Sequence, residues 1–342
     1  MFFTSDNAAA VAPEVMAALA RANEGYARSY GADEIMGRVR GLIRELFEAP
    51  EAEVYLVATG TAANALTVGL LCPPWGTVFC HAHAHIEEDE CNAPEFYSHG
   101  AKLMPLAGAH GRIDPATLRA AVNTAGGSVH NAQRGMLSLT NVTERGTVYT
   151  VAQIAELAAI ARGHGLPVHL DGARFANALA ATGATPSEMT WRAGVDVLSF
   201  GGTKNGLMGV EAVVLFDPAH AWEFELRRKR GAHLFSKHRY LSAQFEAYLQ
   251  DDLWLRLAAR ANAACARLAE GLSTIGGLRF IDPAQANIIF AEWDTGGHAR
   301  LQRAGAVYYD MPAPPEREAA RLVTSWSTTD ADVDAFVDAL RG

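Results

Sequence analysis

Short apolar runs alternate with amphipathic stretches through the first two-thirds of the chain. Val54–Val57 reads as a buried strand running through Ala58-Thr59-Gly60-Thr61 into a helix over Ala62–Leu71. Thr77–Cys80 and Arg134–Leu139 are further strands, and Asn141–Arg145 is a polar turn after the latter. Apolar residues recur at helical spacing over Val151–His164 (Ile154, Leu157, Ala158, Ile160, Ala161), with Gly165 as the stop. Pro167–Leu170 is a strand that delivers Asp171, Val195–Phe200 one that ends in Gly201-Gly202, and Glu211–Phe216 a sixth. Strands and helices alternating at this spacing predict an α/β fold with a mostly parallel sheet and helices on both faces.

The pattern changes near residue 245. Phe245–Gly271 reads as one long Ala/Leu/Arg-rich helix. Phe280, Ile288–Phe290, Tyr308-Tyr309 and Leu322–Thr324 read as short strands of a smaller α+β unit, closed by a helix over Ala331–Leu340. The division expected is a large domain over 1–245, with the N-terminal segment included, and a small domain over 246–342. No internal repeat or low-complexity segment interrupts either.

The 342 residues carry a formal net charge of −9. An acidic chain is a poor match for nucleic acid, which selects a basic face. No apolar run is long enough for a membrane helix, and Met1–Asp6 has no basic segment leading into an apolar one. A cytoplasmic setting is the expectation. Cys72, Cys80, Cys91 and Cys265 form no CxxC pair, so buried or reduced thiols are expected rather than a zinc site or a disulfide framework.

Ligands of open parallel sheets sit beyond the carboxyl ends of the strands. Three features fall there. Lys204 follows a strand in Ser199-Phe200-Gly201-Gly202-Thr203-Lys204-Asn205-Gly206, where glycines permit a tight turn beside a bulky group. An amine near an apolar wall and a cationic ring loses its proton readily, which suits Schiff-base formation. Taken alone, it also reads as a loop lysine facing water. Asp171, in His169-Leu170-Asp171-Gly172-Ala173-Arg174, is placed to pair with a protonated pyridine nitrogen, and Arg174 to reach the ring's phenolic oxygen or a nearby anion. Alone, it reads more readily as a helix N-cap with a surface arginine. The Thr59-Gly60-Thr61-Ala62-Ala63-Asn64 turn exposes backbone N–H groups at a helix N-terminus, a weak phosphate signal by itself. Together the three describe a pyridoxal 5'-phosphate (PLP) site. His81, His83 and His85, followed by four acids, could be metal ligands. A histidine stacking on the ring is the preferred reading for one of them, and no metal is expected.

Six segments in order resemble the threonine aldolase family of fold-type-I PLP enzymes, which includes low-specificity L-threonine, L-allo-threonine and phenylserine aldolases. They are Ser5-Asp6-Asn7, Tyr30-Gly31-Ala32-Asp33-Glu34, Thr59–Asn64, Ala84-His85-Ile86 with Asp89-Glu90-Cys91, Asp171–Arg174 with Gly202–Gly206, and Arg321–Ser325. The resemblance implies the fold-type-I PLP transferase-like architecture, with seven strands in the main sheet. It implies Lys204 as the Schiff-base lysine, Asp171 on the pyridine nitrogen, Arg174 on the phenolic oxygen, Gly60 and Thr61 around the phosphate, and His85 on the ring face. Ser5 and Arg321 would hold the substrate carboxylate, where an arginine fork suits two-pronged binding. Tyr30 would belong to a site shared between subunits of a dimer of dimers. One departure stands out. Relatives carry a second histidine in a turn that here reads Asn141-Val142-Thr143-Glu144-Arg145, leaving Thr143 or Glu144 for its role. The basic run Arg227–Arg230 and Lys237-His238-Arg239 reads as a solvated helix face or as a source of one phosphate-binding cation.

The reaction implied is retro-aldol cleavage of a β-hydroxy-α-amino acid to glycine and an aldehyde, with His85 or a water beside it as base. A β-eliminating lyase or a transaminase on the same fold is the competing enzyme class, since fold does not fix reaction. A binding or regulatory module would not need Lys204, Asp171 and Arg321 together. A dehydrogenase is excluded because no GxGxxG opens a helix after the first strand.

Overall fold

A computed structural model describes residues 1–342. The main sheet has seven strands, β1 Glu53–Val57, β2 Gly76–His81, β3 Lys102–Leu106, β4 Gln133–Thr140, β5 Val168–Gly172, β6 Val197–Phe200 and β7 Glu211–Leu215. Their spatial order is β1-β7-β6-β5-β4-β2-β3. Only β7 runs against its neighbours, so β1, β2, β4, β5 and β6 all end on one edge. Because β7 is reversed, its first residue, Glu211, reaches that same edge.

Both faces of the sheet are covered, and side-chain alternation shows it. Val54, Leu56, Leu198 and Phe200 enter one core, while Tyr55, Val57 and Val197 enter the other. This explains the continuous apolar runs in the sequence. Against the second face lies the helix Gly60–Leu71, buried over the whole of Ala62–Leu71. Strand β3 escaped the sequence pattern. It is an edge strand, bonded only to β2, mostly not buried, and it contains Pro105. Proline is tolerated there because one edge needs no partner.

The stretch expected to form one helix over Phe245–Gly271 is two. Helix Arg239–Leu249 ends, and Leu253–Ser273 begins after Asp251 and Asp252, which take φ of 51° and 52°. Aspartate tolerates this left-handed backbone better than most residues, and the break lets Leu253 and Trp254 enter the large core. The smaller sheet is antiparallel, with β8 Arg279–Phe280, β9 Ile288–Asp294, β10 Tyr309–Met311 and β11 Arg317–Val323 in the order β10-β11-β9-β8. The chain's N-terminus packs onto it. Phe3 is fully buried in the core of the smaller sheet and its N–H bonds the Val307 carbonyl at 2.8 Å. This anchor sets Ser5–Asn7 down between the two sheets. Cys72, Cys80 and Cys265 are buried thiols and Cys91 is exposed; none is disulfide-bonded. No helix is long and apolar enough to cross a membrane.

Phe200 ends β6 at the hub of an aromatic cluster. Its ring lies 5.4 to 5.8 Å from those of Phe47, Phe175, Phe245 and Trp254. Phe200→Ala is expected to cost about 3–5 kcal/mol in urea denaturation, through lost burial and a cavity that fixed strands cannot close. A loss under about 1 kcal/mol would show that the cluster relaxes around the gap.

Candidate active site

The strand ends converge on two adjoining cavities. One, of about 250 Å³, is lined by Asn7, Gly60, Thr61, Asn64, His85, Asp171, Thr203, Lys204 and Glu211 among others. The second, of about 520 Å³, is lined by Ser5, Asn7, His83, His85, Glu144, Arg174, Lys204, Phe290, Tyr309, Met311 and Arg321, with further polar residues. Lys204 and His85 face both. The chain has four lysines, Lys102, Lys204, Lys229 and Lys237, and only Lys204 lines either cavity.

Local packing dictates the Lys204 turn. A Cβ on Gly201 would overlap the Ala173 carbonyl, so only glycine lets the turn pass that close to the end of β5. Gly206 closes the turn at a φ of 94°. Asn205 anchors it from behind, its amide N–H bonding the Tyr248 hydroxyl at 2.7 Å and the Trp254 carbonyl at 2.8 Å. The Gly202 N–H donates to the Glu211 carboxylate at 2.6 Å, an acid that burial pushes above the usual carboxylate range.

At the N-terminus of the helix Gly60–Leu71, Thr59 caps the Ala62 N–H, leaving the Gly60 and Thr61 amides without helical partners. Gly60 and Thr61 both line the smaller cavity, and a side chain on Gly60 would meet no non-neighbouring atom within 4 Å.

Asp171 is 2% exposed. Its Oδ1 accepts the Ala173 N–H at 3.0 Å and its Oδ2 the Asn64 side-chain N–H at 2.9 Å. Behind it runs a closed polar chain. The Asn64 amide donates to two carboxylates, Asp171 and, at 2.8 Å, Glu90, which fixes its orientation. Its oxygen therefore accepts from the Ser199 hydroxyl at 2.9 Å. Ser199's one proton is then spent, so His169 Nε2 donates to Ser199 and Nδ1 accepts from Ser138. Burial pushes His169 down to about 4, which keeps it neutral as this pattern requires. Asn64, Glu90, Ser199 and His169 received no role from the sequence. Spacing could have flagged His169, since alternation puts it on the same strand face as Asp171.

Three arginines line the larger cavity, and one of them, Arg145, is engaged by Asp282 through its Nε at 2.8 Å. Arg174 is buried, and Asp6 grips it at 2.7 and 3.0 Å. Burial alone would raise the Asp6 carboxyl, but Arg174 outweighs it and holds the acid below its usual range. The remaining Arg174 nitrogen, Nη1, has no hydrogen-bond partner and lies 3.8 Å from Glu144. Arg321, on β11, makes only a 3.5 Å contact to the Thr4 carbonyl. Burial and the neighbouring Arg174 charge lower its pKa. Two guanidinium groups with unspent donors make this end of the cleft attractive to an anion.

Of the pair Thr143 and Glu144, only Glu144 lines the cleft; Thr143 is buried against Thr147 at 2.9 Å. His81, His83 and His85 do not converge, and no group of three or more potential ligands is placed to hold a metal ion. His81 is turned to the Gly108 carbonyl and His83 to Glu88, leaving His85 in the cavity. Tyr30 stays outside both cavities, half-exposed and capped by Lys229 at 5.1 Å. The basic run is likewise elsewhere: Arg227 pairs with Glu223, and Arg228 is buried over the Tyr55 ring.

Asp6 gives a pH prediction. Its folded-state pKa is depressed, so its stabilisation is present above the unfolded value near 3.9 and disappears as pH falls through the lower folded value. Asp6→Asn strands a buried charge and is expected to cost about 3–5 kcal/mol at neutral pH. The deficit against wild type, read by denaturation, should narrow below about pH 4. A deficit independent of pH would rule the ion pair out as its cause.

Comparison with known proteins agrees with this geometry. The family model for beta-eliminating lyases matches residues 3–295. The low specificity L-threonine aldolase of Pseudomonas aeruginosa is 39% identical over 95% of this chain and 93% of its own. That of Pseudomonas sp. strain NCIMB 10558 is 39% identical over 97% and 94%. The solved threonine aldolase of Leishmania major superposes with a TM-score of 0.94 at 29% identity, covering 99% and 98% of the two chains. A serine palmitoyltransferase of Sphingomonas wittichii, 16% identical, shares the fold with a TM-score of 0.74 over the whole of this chain and 86% of its own. The chain is a lyase of the beta-eliminating lyase family and belongs to the threonine aldolases within it.

Proposed function

We propose that the protein is a PLP-dependent aldolase that cleaves L-threonine, L-allo-threonine or a related β-hydroxy-α-amino acid to glycine and an aldehyde. The observation that carries this reading is one cleft with Lys204 between the Asp171 carboxylate and two incompletely bonded arginines. The residues fit the cofactor. The open Gly60 and Thr61 amides suit its phosphate, Asp171 its ring nitrogen, Lys204 its aldehyde carbon and His85 its ring face. When bound, the pyridinium ring supplies a sink for the electron pair released at Cα.

The protein's own groups then divide the work. Arg321, the free Nη1 of Arg174 and Ser5 hold the substrate carboxylate. We place Arg174 there, beside Arg321, although the resemblance had suggested the phenolic oxygen. Holding the carboxylate orients the bond to be broken, and remote binding energy is thereby used for alignment. Asp171 accepts the ring N–H, which favours the charged ring. His85 Nε2 would take the β-hydroxyl proton as the carbon–carbon bond breaks, and Lys204 Nζ would hold the cofactor's aldehyde carbon when no amino acid occupies the cleft. In the same cavity Tyr309 and Met311, with Phe290 beneath the Arg145 guanidinium, offer apolar surface for a β-substituent such as the phenyl ring of L-phenylserine. Lys204 is the only cation lining the smaller cavity, so a second copy of the chain is the natural source of a charge for the phosphate. The exposed Phe96, Trp222 and Leu226 provide an apolar face for it, and Tyr30 would lie at such a shared site.

The test is product analysis of the PLP-loaded enzyme with L-threonine, L-allo-threonine and L-phenylserine. Glycine plus acetaldehyde or benzaldehyde, without a keto-acid co-substrate, is expected. Ammonia plus a 2-oxo acid would instead indicate β-elimination. Lys204→Ala should abolish turnover, and Arg321→Lys should raise KM by roughly tenfold or more, because a point charge replaces a fork. An unchanged KM would remove Arg321 from the carboxylate.

A further inference from the structure

Glu90 is a buried acid that lines neither cavity, yet it touches the one histidine that lines both. It is 4% exposed. Its Oε1 lies 2.8 Å from His85 Nδ1 and 2.8 Å from the Asn64 amide nitrogen, and its Oε2 has no partner. The proton directions in this cluster are dictated by the chain behind it. Asn64 must present N–H groups to both Asp171 and Glu90, because its oxygen is committed to Ser199. Glu90 Oε1 therefore accepts from Asn64, and although burial raises the Glu90 pKa, the bonds from His85 and Asn64 both oppose that rise and favour the carboxylate with the shared proton on Nδ1. The other ring nitrogen, Nε2, has no partner within the protein.

We propose that Glu90 is a positioning residue that fixes the tautomer of His85 and strengthens it as a base, so that a bare Nε2 meets the β-hydroxyl group. This deepens the aldolase reading and rests on it for the identity of the proton. Glu90 itself never touches substrate; it acts through the imidazole, as carboxylate partners of functional histidines do elsewhere. Asn64 braces Glu90 and Asp171 with one amide, so the residue on the ring face and the residue on the ring nitrogen are held in a single register. Burial would depress His85, but the Glu90 bond and the Asp171 charge outweigh it and raise its pKa. Lys204 opposes them from the β6 turn, and Glu144 adds to them from the turn after β4. The same cavity is lined by Glu88 on His85's own helix, by its flanking residues His83 and Asp89, and by Arg145, Arg174 and Arg321 from other elements. Among all these groups Glu90 alone is hydrogen-bonded to the ring.

The decisive experiment is a pH titration of histidine-labelled, PLP-loaded protein by nitrogen NMR, with His85→Asn identifying the His85 signal. Wild type should show the Nδ1–H tautomer and a pKa above the ordinary value near 6.5. In Glu90→Gln the pKa should fall by about one unit or more, since the neighbouring negative charge is gone. The acidic limb of the rate profile should move to lower pH by the same amount, with kcat reduced and KM unchanged. If the glutamine variant does not fold, Glu90→Asp, with its carboxylate drawn back by one methylene, should lower the His85 pKa in the same direction by less. An unchanged His85 titration and tautomer in the variant overturns the proposal. The NMR arm needs no substrate, so a wild-type enzyme without aldolase activity would defeat the functional reading and still leave Glu90 to be judged.

Discussion

One side-chain amide holds two buried carboxylates. Placing two like charges in a dry sheet edge is costly unless each is hydrogen-bonded, and Asn64 bonds both Asp171 and Glu90. The amide can do this only because Ser199 occupies its oxygen, which in turn requires His169 to donate from Nε2. Strands β4, β5 and β6 each contribute one or two members of this chain: Ser138, His169 with Asp171, and Ser199. The parallel register sets Ser138 opposite His169 and, two residues further along, Asp171 opposite Ser199, so the chain steps from one level to the next through the His169–Ser199 bond. The helix Gly60–Leu71 brings Asn64 to the level of Asp171 and Ser199 and offers its open N-terminus one turn earlier. The open helix N-terminus and the Asp171 carboxylate are thus fixed by the same packing.

The second constraint joins the domains. Asp6, anchored near the smaller sheet through Phe3, clamps Arg174 just beyond β5. Asn287 adds a bond to Asp6 at 3.0 Å from the small-domain side. This pair is buried, so removing one partner costs more than it would in an exposed pair, because the other charge is left in a dry site. It turns Arg174 so that one nitrogen is left for the cleft, facing Arg321 from β11. An anion arriving there therefore bridges residues of both sheets.

Much of this was legible in the sequence where a local pattern carries the signal. Glycines at Gly201 and Gly206, an acid at a strand end and a Thr-Gly-Thr turn are each set by backbone geometry. Such signals point to Asp171, Lys204, Gly60 and Thr61, which line one cavity together with His85, whereas Ser5 and Arg321, which line the adjoining cavity with Arg174, were reached only through the family resemblance. What periodicity missed depends on distant partners. Asn64 and Glu90 meet across 26 positions, and Asn64 meets Ser199 across 135, so no window of sequence contains these contacts. The pairing of Asp6 with Arg174 is hidden in the same way. Strand β3 was missed because an edge strand need not be apolar, and the helix break at Asp251 because two aspartates seldom stop a helix without glycine. Tyr30 was expected at a shared site, and within one chain it remains outside the cleft.

The account's central claim is that Lys204 carries the cofactor at the edge defined by Asp171. Reduction of the PLP-loaded protein with borohydride, followed by mass mapping of its peptides, tests it directly. The expected result is a single pyridoxyl label on the peptide containing Lys204. A label on Lys102, Lys229 or Lys237, or no label at all, would contradict it.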